Sequence, residues 1–330
     1  MSHQTDWMHE ARWGTMTHYL ADGFAAEDEP MTIARWNALV DGFDAGRFAR
    51  TIAETGSGYH LFTVGQNSGY YCSPNETYDR LVGRTAEQSR LSRRDLIADV
   101  ADALLARGVV PLVYSTSTAA NSDRDAMQAL ACVPPWRPRM GWGEAWDQLT
   151  PGTDERLGDF QRHWEAIHRE WSRRWGERVR GWWIDGCYYA DKMYQHEDAP
   201  NFASFAAALK AGNPASIVAF NPGVNKLWRT NERQDYTAGE VNDLLVFAPA
   251  FRQGRFAAGA QLHILSFLGG FWGWNAPTRR FRDELVAAYT RYINDRGGAV
   301  TWDIPIGADG TIPDEFVRQL TALGTAIGTA

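Results

Sequence analysis

The chain has 330 residues, 44% hydrophobic and 22% charged, a globular composition long enough for one large domain or two ordinary ones. Its net charge of −7, with nothing more basic than the short cluster Arg90, Arg93 and Arg94, argues against a nucleic-acid partner. No run of about 20 apolar residues is available to span a membrane, and the N-terminus has neither the basic start nor the apolar run of a signal peptide. The spacing of Cys72, Cys132 and Cys187 fits neither a zinc ribbon nor a disulfide framework, and an odd number leaves one unpaired, so a reducing, cytoplasmic setting is expected.

The predicted elements alternate strand and helix. Residues 58–64 read as a strand. Residues 94–107 carry Leu96, Ile97, Val100, Ala103 and Leu104 on one helical face, stopped by Gly108. A strand at 109–115 follows, then a long helix at 158–175, a strand at 179–185, a helix at 202–210 and a strand at 216–221. Shorter strands are expected at 244–247 and 262–267. A helix at 282–295 ends on Gly297-Gly298, a strand occupies 299–304, and a helix at 313–323 closes the chain. This order implies a parallel sheet, and about eight such units over this length fit a single (β/α)₈ TIM-type barrel domain spanning 1–330. The Pro-, Gly- and Trp-rich stretch 116–153 reads as a long rim or lid loop within it.

Residues 180–186, Arg-Gly-Trp-Trp-Ile-Asp-Gly, describe a buried strand that ends on an acid. A buried unpaired charge is costly, and barrel chemistry sits at carboxyl strand ends. Asp185 is therefore the first candidate for a reacting group. A retaining glycosidase needs a second carboxyl to protonate the leaving oxygen, and Glu240, expected at a later strand end, is the candidate. The 15 tryptophans include many beside glycine or proline, where their faces suit stacking on sugar C–H faces. The spacing of Asp309, Asp314 and Glu315 is not that of a calcium loop. His163 and His168 are not spaced as a zinc pair, and no nucleophile elbow is present. No metal and no cofactor are expected.

These motifs resemble the alpha-L-fucosidase family, glycoside hydrolase family twenty-nine. Trp183-Ile184-Asp185-Gly186 matches the strand that carries the family's nucleophile. Asp235, Tyr236 and Glu240 match the placement of its acid/base in one branch. Gly14-Thr15-Met16-Thr17-His18 is similar to a segment whose histidine binds the sugar. Trp272-Gly273-Trp274-Asn275, Gly297-Gly298 and the 305–313 run are similar to its C-terminal segments. Where the family has a histidine pair, this chain has Gln66-Asn67. Its Asn221-Pro222-Gly223 replaces an Asn-Asp-Arg, and the C-terminal β-sandwich of many members is not expected.

The resemblance implies a retaining exo-glycosidase acting on a small α-linked glycoside through a covalent glycosyl-enzyme, with Asp185 as nucleophile and Glu240 as acid/base. It implies His18, Gln66, Asn67, Tyr188, Trp272 and Trp274 as substrate-binding residues. The expected partner is a small carbohydrate, not nucleic acid or a membrane; a homo-oligomer stays open. The alternative is a catalytically inactive carbohydrate-binding protein on the same scaffold, motivated by the replaced histidine pair.

Overall fold

The computed structural model describes residues 3–25, 29–136, 149, 152–244, 255–257, 259–273 and 278–329. Its strands are β1 (Trp13–Thr17), β2 (Tyr59–Thr63), β3 (Val110–Thr116), β4 (Gly181–Asp185) and β5 (Ile217–Phe220), then a short antiparallel pair, β6 (Phe256–Ala257) and β7 (Ala260–Gln261), then β8 (His263–Phe267) and β9 (Ala299–Ile304). The main sheet has seven strands in the order β5-β4-β3-β2-β1-β9-β8, every neighbouring pair parallel.

The helices are α1 (Asp6–Ala11), α2 (Ile33–Asp41), α3 (Ala45–Glu54), α4 (Glu76–Val82), α5 (Leu96–Leu105), α6 (Arg124–Ala129), α7 (Gly158–Trp175), α8 (Ala190–Met193), α9 (Phe202–Leu209), α10 (Asp283–Asn294) and α11 (Asp314–Ile327). The predicted elements from residue 58 onward reappear within a few residues of their expected ends, apart from 244–247, which falls almost wholly outside the described residues. Strand β1 and helices α1, α2 and α3 were not legible in sequence. Of the expected lid at 116–153, α6 is described, while Trp142 and Trp146 lie outside the described residues.

The sheet curls around its own inner layer. Met16, Leu61, Leu112, Tyr114, Trp183, Ala219, Tyr236, Ala238 and Leu265 form one buried cluster drawn from strands across the whole sheet. The opposite sheet face packs on the helices, so the strands are buried on both sides, as parallel sheets are. Adjacent tryptophans on β4 divide the two layers. Trp183 stacks on Tyr114 inside, with ring centroids 5.4 Å apart, and Trp182 lies 5.5 Å from Trp175 of α7 outside.

Between β5 and β8 runs the segment 235–241. Asp235 N donates to Val218 O at 2.8 Å on the β5 side. On the β8 side Thr237 N donates to Gln261 O, Leu265 N to Gly239 O and Val241 N to Leu265 O, each at 2.9 Å. The ladder is irregular because Gly239 adopts φ +68, and a Cβ there would lie 2.0 Å from His263 O. Only glycine lets the chain pass this close to β8 just before Glu240.

Three cysteines are free and buried, and among the described residues no helix is long and apolar enough to cross a membrane. On the outer layer, Trp175 stacks on Trp171 at 5.9 Å and donates from Nε1 to Asp95 Oδ1, which also caps α5. Trp175→Ala therefore removes a buried ring joining α7, β4 and the α5 cap. It is expected to lower the unfolding free energy by about 3–5 kcal/mol, read by urea denaturation.

Candidate active site

Asp185 stands at the carboxyl end of β4, paired with Thr116 of β3. Its carboxylate is surrounded by donors. Tyr114 Oη donates to Oδ2 at 2.7 Å, and the Gly186 N–H donates to Oδ1 at 2.7 Å. Asn221 Nδ2 reaches Oδ1 at 2.8 Å, and Tyr188 Oη reaches it at 3.4 Å. Burial holds the Tyr114 phenol well above its ordinary value of 10, and the neighbouring Asp185 charge adds to this. Tyr188 is raised for the same two reasons. Both phenols thus remain protonated donors at neutral pH. Gln66 Nε2 in turn donates to Tyr114 Oη, so a relay of donors runs from the β2 side to Asp185.

Glu240 lies just past Gly239, and its segment is bonded to β8 on one side. Its carboxyl is raised from 4.5 to about 7, first by burial and then by the charge of Asp185; hydrogen bonding from Asn221 and the proximity of His18 oppose the rise. Asn221, fully buried at the end of β5, joins the two acids. Its Nδ2 donates to Glu240 Oε2 at 2.6 Å as well as to Asp185, while its Oδ1 accepts from Gly223 N at 3.1 Å and so fixes which way the amide faces. A second tie crosses the interior, where Trp183 Nε1 donates to Ala238 O at 2.9 Å.

His18 follows β1. Its Nδ1 donates to Asp303 Oδ1 at 2.8 Å, and Asp303 Oδ2 accepts from Gly273 N at 2.6 Å. Burial pushes the Asp303 carboxyl up from 3.8, and His18 opposes the shift. Gly273 has φ +49 and passes so close that a Cβ would lie 2.3 Å from His18 Cβ. The loop after β8 is thereby seated on the histidine.

A cavity of about 410 Å³ brings these groups together, a size suited to a small ligand. Of the residues singled out in the sequence, His18, Gln66, Asn67, Asp185, Tyr188, Glu240 and Trp272 line it; Trp274 lies outside the described residues. Tyr114, Trp183, Met16 and Leu265 also line it and were not singled out. Neither were Asn221 and Asp303, the partners behind it. A usable signal existed for Asn221, which follows an apolar strand as Asp185 does. His263 is a hydrogen-bonded core histidine, meeting Thr237 O at 2.9 Å and Thr301 Oγ1 at 2.7 Å. Among the described residues no group of three or more His, Cys, Asp or Glu is placed to hold a metal ion.

Removing the Asn221 amide takes a donor from both carboxylates at once. Asn221→Ala is expected to move the Glu240 titration upward from about 7, because the lost hydrogen bond had favoured the charged form. A titration of the Glu240 carboxyl by infrared or carbon NMR spectroscopy checks this.

No protein-family model matches the chain, and no curated protein matches it in sequence. Solved structures share its architecture. An endo-fucoidan hydrolase from glycoside hydrolase family 107 superposes with TM-score 0.69 and 17% identity, over 98% of this chain and 93% of that one. The fold is shared with glycoside hydrolases. An alpha-L-fucosidase from Lactobacillus casei, in complex with alpha-L-fucose product, gives TM-score 0.64 and 14% identity over 98% and 97% of the two chains. Alpha-L-fucosidase isoenzyme 1 from Paenibacillus thiaminolyticus gives 0.62 and 16% over 98% and 74%.

Proposed function

We propose that this chain is a retaining glycoside hydrolase that removes a terminal α-L-fucosyl or closely related residue from a small glycoside, as a divergent relative of the alpha-L-fucosidases. Asp185 attacks the anomeric carbon, and Glu240 delivers its proton to the departing oxygen. A covalent glycosyl-enzyme forms; Glu240 then takes a proton from water, which attacks the same carbon and restores the original configuration. In this reading the segment 235–241 is the sixth strand position of an eight-membered barrel, and the protein works in the cytoplasm.

The observation that carries the proposal is the amide of Asn221 spanning both acids. Two oxygens 2.8 and 2.6 Å from one nitrogen stand at most about 5.4 Å apart. Carboxyl separations are about 5–5.5 Å in retaining enzymes and about 6.5–9.5 Å in inverting ones. The second support is the contrast in surroundings. Glu240 is raised to about 7 and can hold a proton, while Asp185 accepts hydrogen bonds from four donors that fix its carboxyl at the end of β4.

The test is proton NMR of 4-nitrophenyl α-L-fucopyranoside during hydrolysis. The first sugar to appear is expected to be the α-anomer. A β-anomer as first product rejects the mechanism. Fucose binding without nitrophenol release supports the inactive carbohydrate-binding alternative instead.

A further inference from the structure

The cavity changes character between floor and rim. Its floor residues Met16, Tyr114, Trp183 and Leu265 are no more than 2% exposed, whereas Tyr188, Val224 and Phe271 on its rim are 42%, 38% and 56% exposed. The three rim side chains come from separate places: the turn after β4, the loop after β5 and the loop after β8. Exposed apolar side chains gathered at one mouth point to something that covers them.

The loop bearing Val224 and the strand leading to Phe271 flank Glu240, and Tyr188 packs against the Val224 loop. Asn225 N donates to Glu240 O at 2.8 Å, which lays the loop bearing Val224 along the backbone of the acid. In the same loop, a Cβ at Gly223 would meet the Tyr188 ring at 3.5 Å, so loop and ring are packed together. Strand β8, which leads to Phe271, brackets Glu240 through the bonds of Leu265 to Gly239 and Val241. The Phe271 ring lies 5.9 Å from that of Phe267 at the end of β8.

We propose that Tyr188, Val224 and Phe271 form a leaving-group subsite for a ring with an apolar face, a sugar C–H face or an arene. This rests on the hydrolase reading above. If Glu240 protonates the glycosidic oxygen, the group attached to that oxygen lies on the Glu240 side, against this rim. The buried floor then holds the sugar that is transferred.

The experiment compares Phe271→Ala and the double variant Phe271→Ala, Val224→Ala with wild type on three probes: 4-nitrophenyl α-L-fucopyranoside, Fucα(1,6)GlcNAc and α-L-fucosyl fluoride. The fluoride has no ring to place on the rim. The kcat/KM of the two ring-bearing probes is expected to fall about tenfold, the scale of losing a hydrophobic contact in a pocket, with the fluoride unchanged. Phe271→Trp is expected to keep wild-type values on all three. A fall confined to the nitrophenyl probe identifies an arene site, and one confined to the disaccharide a sugar site; both support the subsite. An equal fall for the fluoride, or no fall for either ring-bearing probe, overturns it. Wild-type protein that neither cleaves nor binds any probe in calorimetry overturns the hydrolase reading, and the rim's role falls with it.

Discussion

Asp185→Gly is expected to lower turnover of an aryl α-L-fucoside by on the order of 10⁴-fold or more, the scale seen when a nucleophile is removed from a site whose parts act together. The loss is expected to be chemical rather than structural. Asp185 is at the cavity-lining end of β4, where its donors Tyr114 and Tyr188 also line the cavity and Asn221 supports it from behind. Sodium azide can enter the space left by the carboxylate and attack the anomeric carbon once, from the face Asp185 used. The product is then a β-glycosyl azide, formed with inversion. Recovery of turnover with an α-azide, or wild-type activity in the variant, rejects Asp185 as the nucleophile. A spectroscopic readout accompanies the kinetics. Because the charge of Asp185 helps raise Glu240 to about 7, Asp185→Asn is expected to lower the Glu240 value towards 4.5.

Glu240→Gln is expected to reduce turnover of substrates with poor leaving groups by about 10²–10⁴-fold, the usual worth of a positioned general acid. Fucosyl fluoride, whose leaving group departs without a proton, is expected to be cleaved far less impaired in its first step. The pH profile supplies the sign. Glu240 must be protonated to act as the acid, so wild-type kcat/KM is expected to hold below its value of about 7 and to fall above it. In the glutamine variant that alkaline fall is expected to vanish. Stability follows the same proton. Between 4.5 and about 7 the folded chain keeps a proton on Glu240 that the unfolded chain has released, so this group's contribution to stability declines as pH rises through that window. Denaturation of the Glu240→Gln variant across the window is expected to lack this slope. An unchanged slope means that another group titrates there.

How much was legible in the chain differs from residue to residue for physical reasons. Asp185 could be read because an apolar run ending on an acid has few structural uses. The strands β3, β4 and β9 were legible as apolar runs bounded by helices, and β2 as an apolar run ahead of one. Strand β1 was not, since Trp-Gly-Thr-Met-Thr holds two threonines and a glycine and owes its burial to neighbours on both sides. Glu240, expected at a strand end, instead stands on an irregular segment joined to its neighbours by isolated bridges, because Gly239 turns the backbone where the ladder would continue. Tyr114 was read only as part of a strand. In a strand buried on both faces, hydrophobicity does not tell inside from outside. Register does: Tyr114 pairs with Trp183, two residues before Asp185 and therefore on the same face of β4. That pairing is a property of the folded sheet. The roles of Gln66 and Asn67 were approached from the opposite direction, as replacements for a histidine pair. Gln66 is now seen to feed the Tyr114 relay, while the carbonyl of Asn67 accepts from Ser122 N at 2.9 Å.

The indole of Trp183 has a consequence beyond packing. It belongs to the residue two positions before Asp185, and its N–H is bonded to Ala238, two positions before Glu240. The ring ties the strand that carries Asp185 to the segment that carries Glu240. The width of the reaction gap is thus gauged from the interior, away from the loops where sequence drift is tolerated. If the two acids act as proposed, those loops can be redrawn for new leaving groups while the spacing of the acids is kept by a tryptophan that need never touch the departing group.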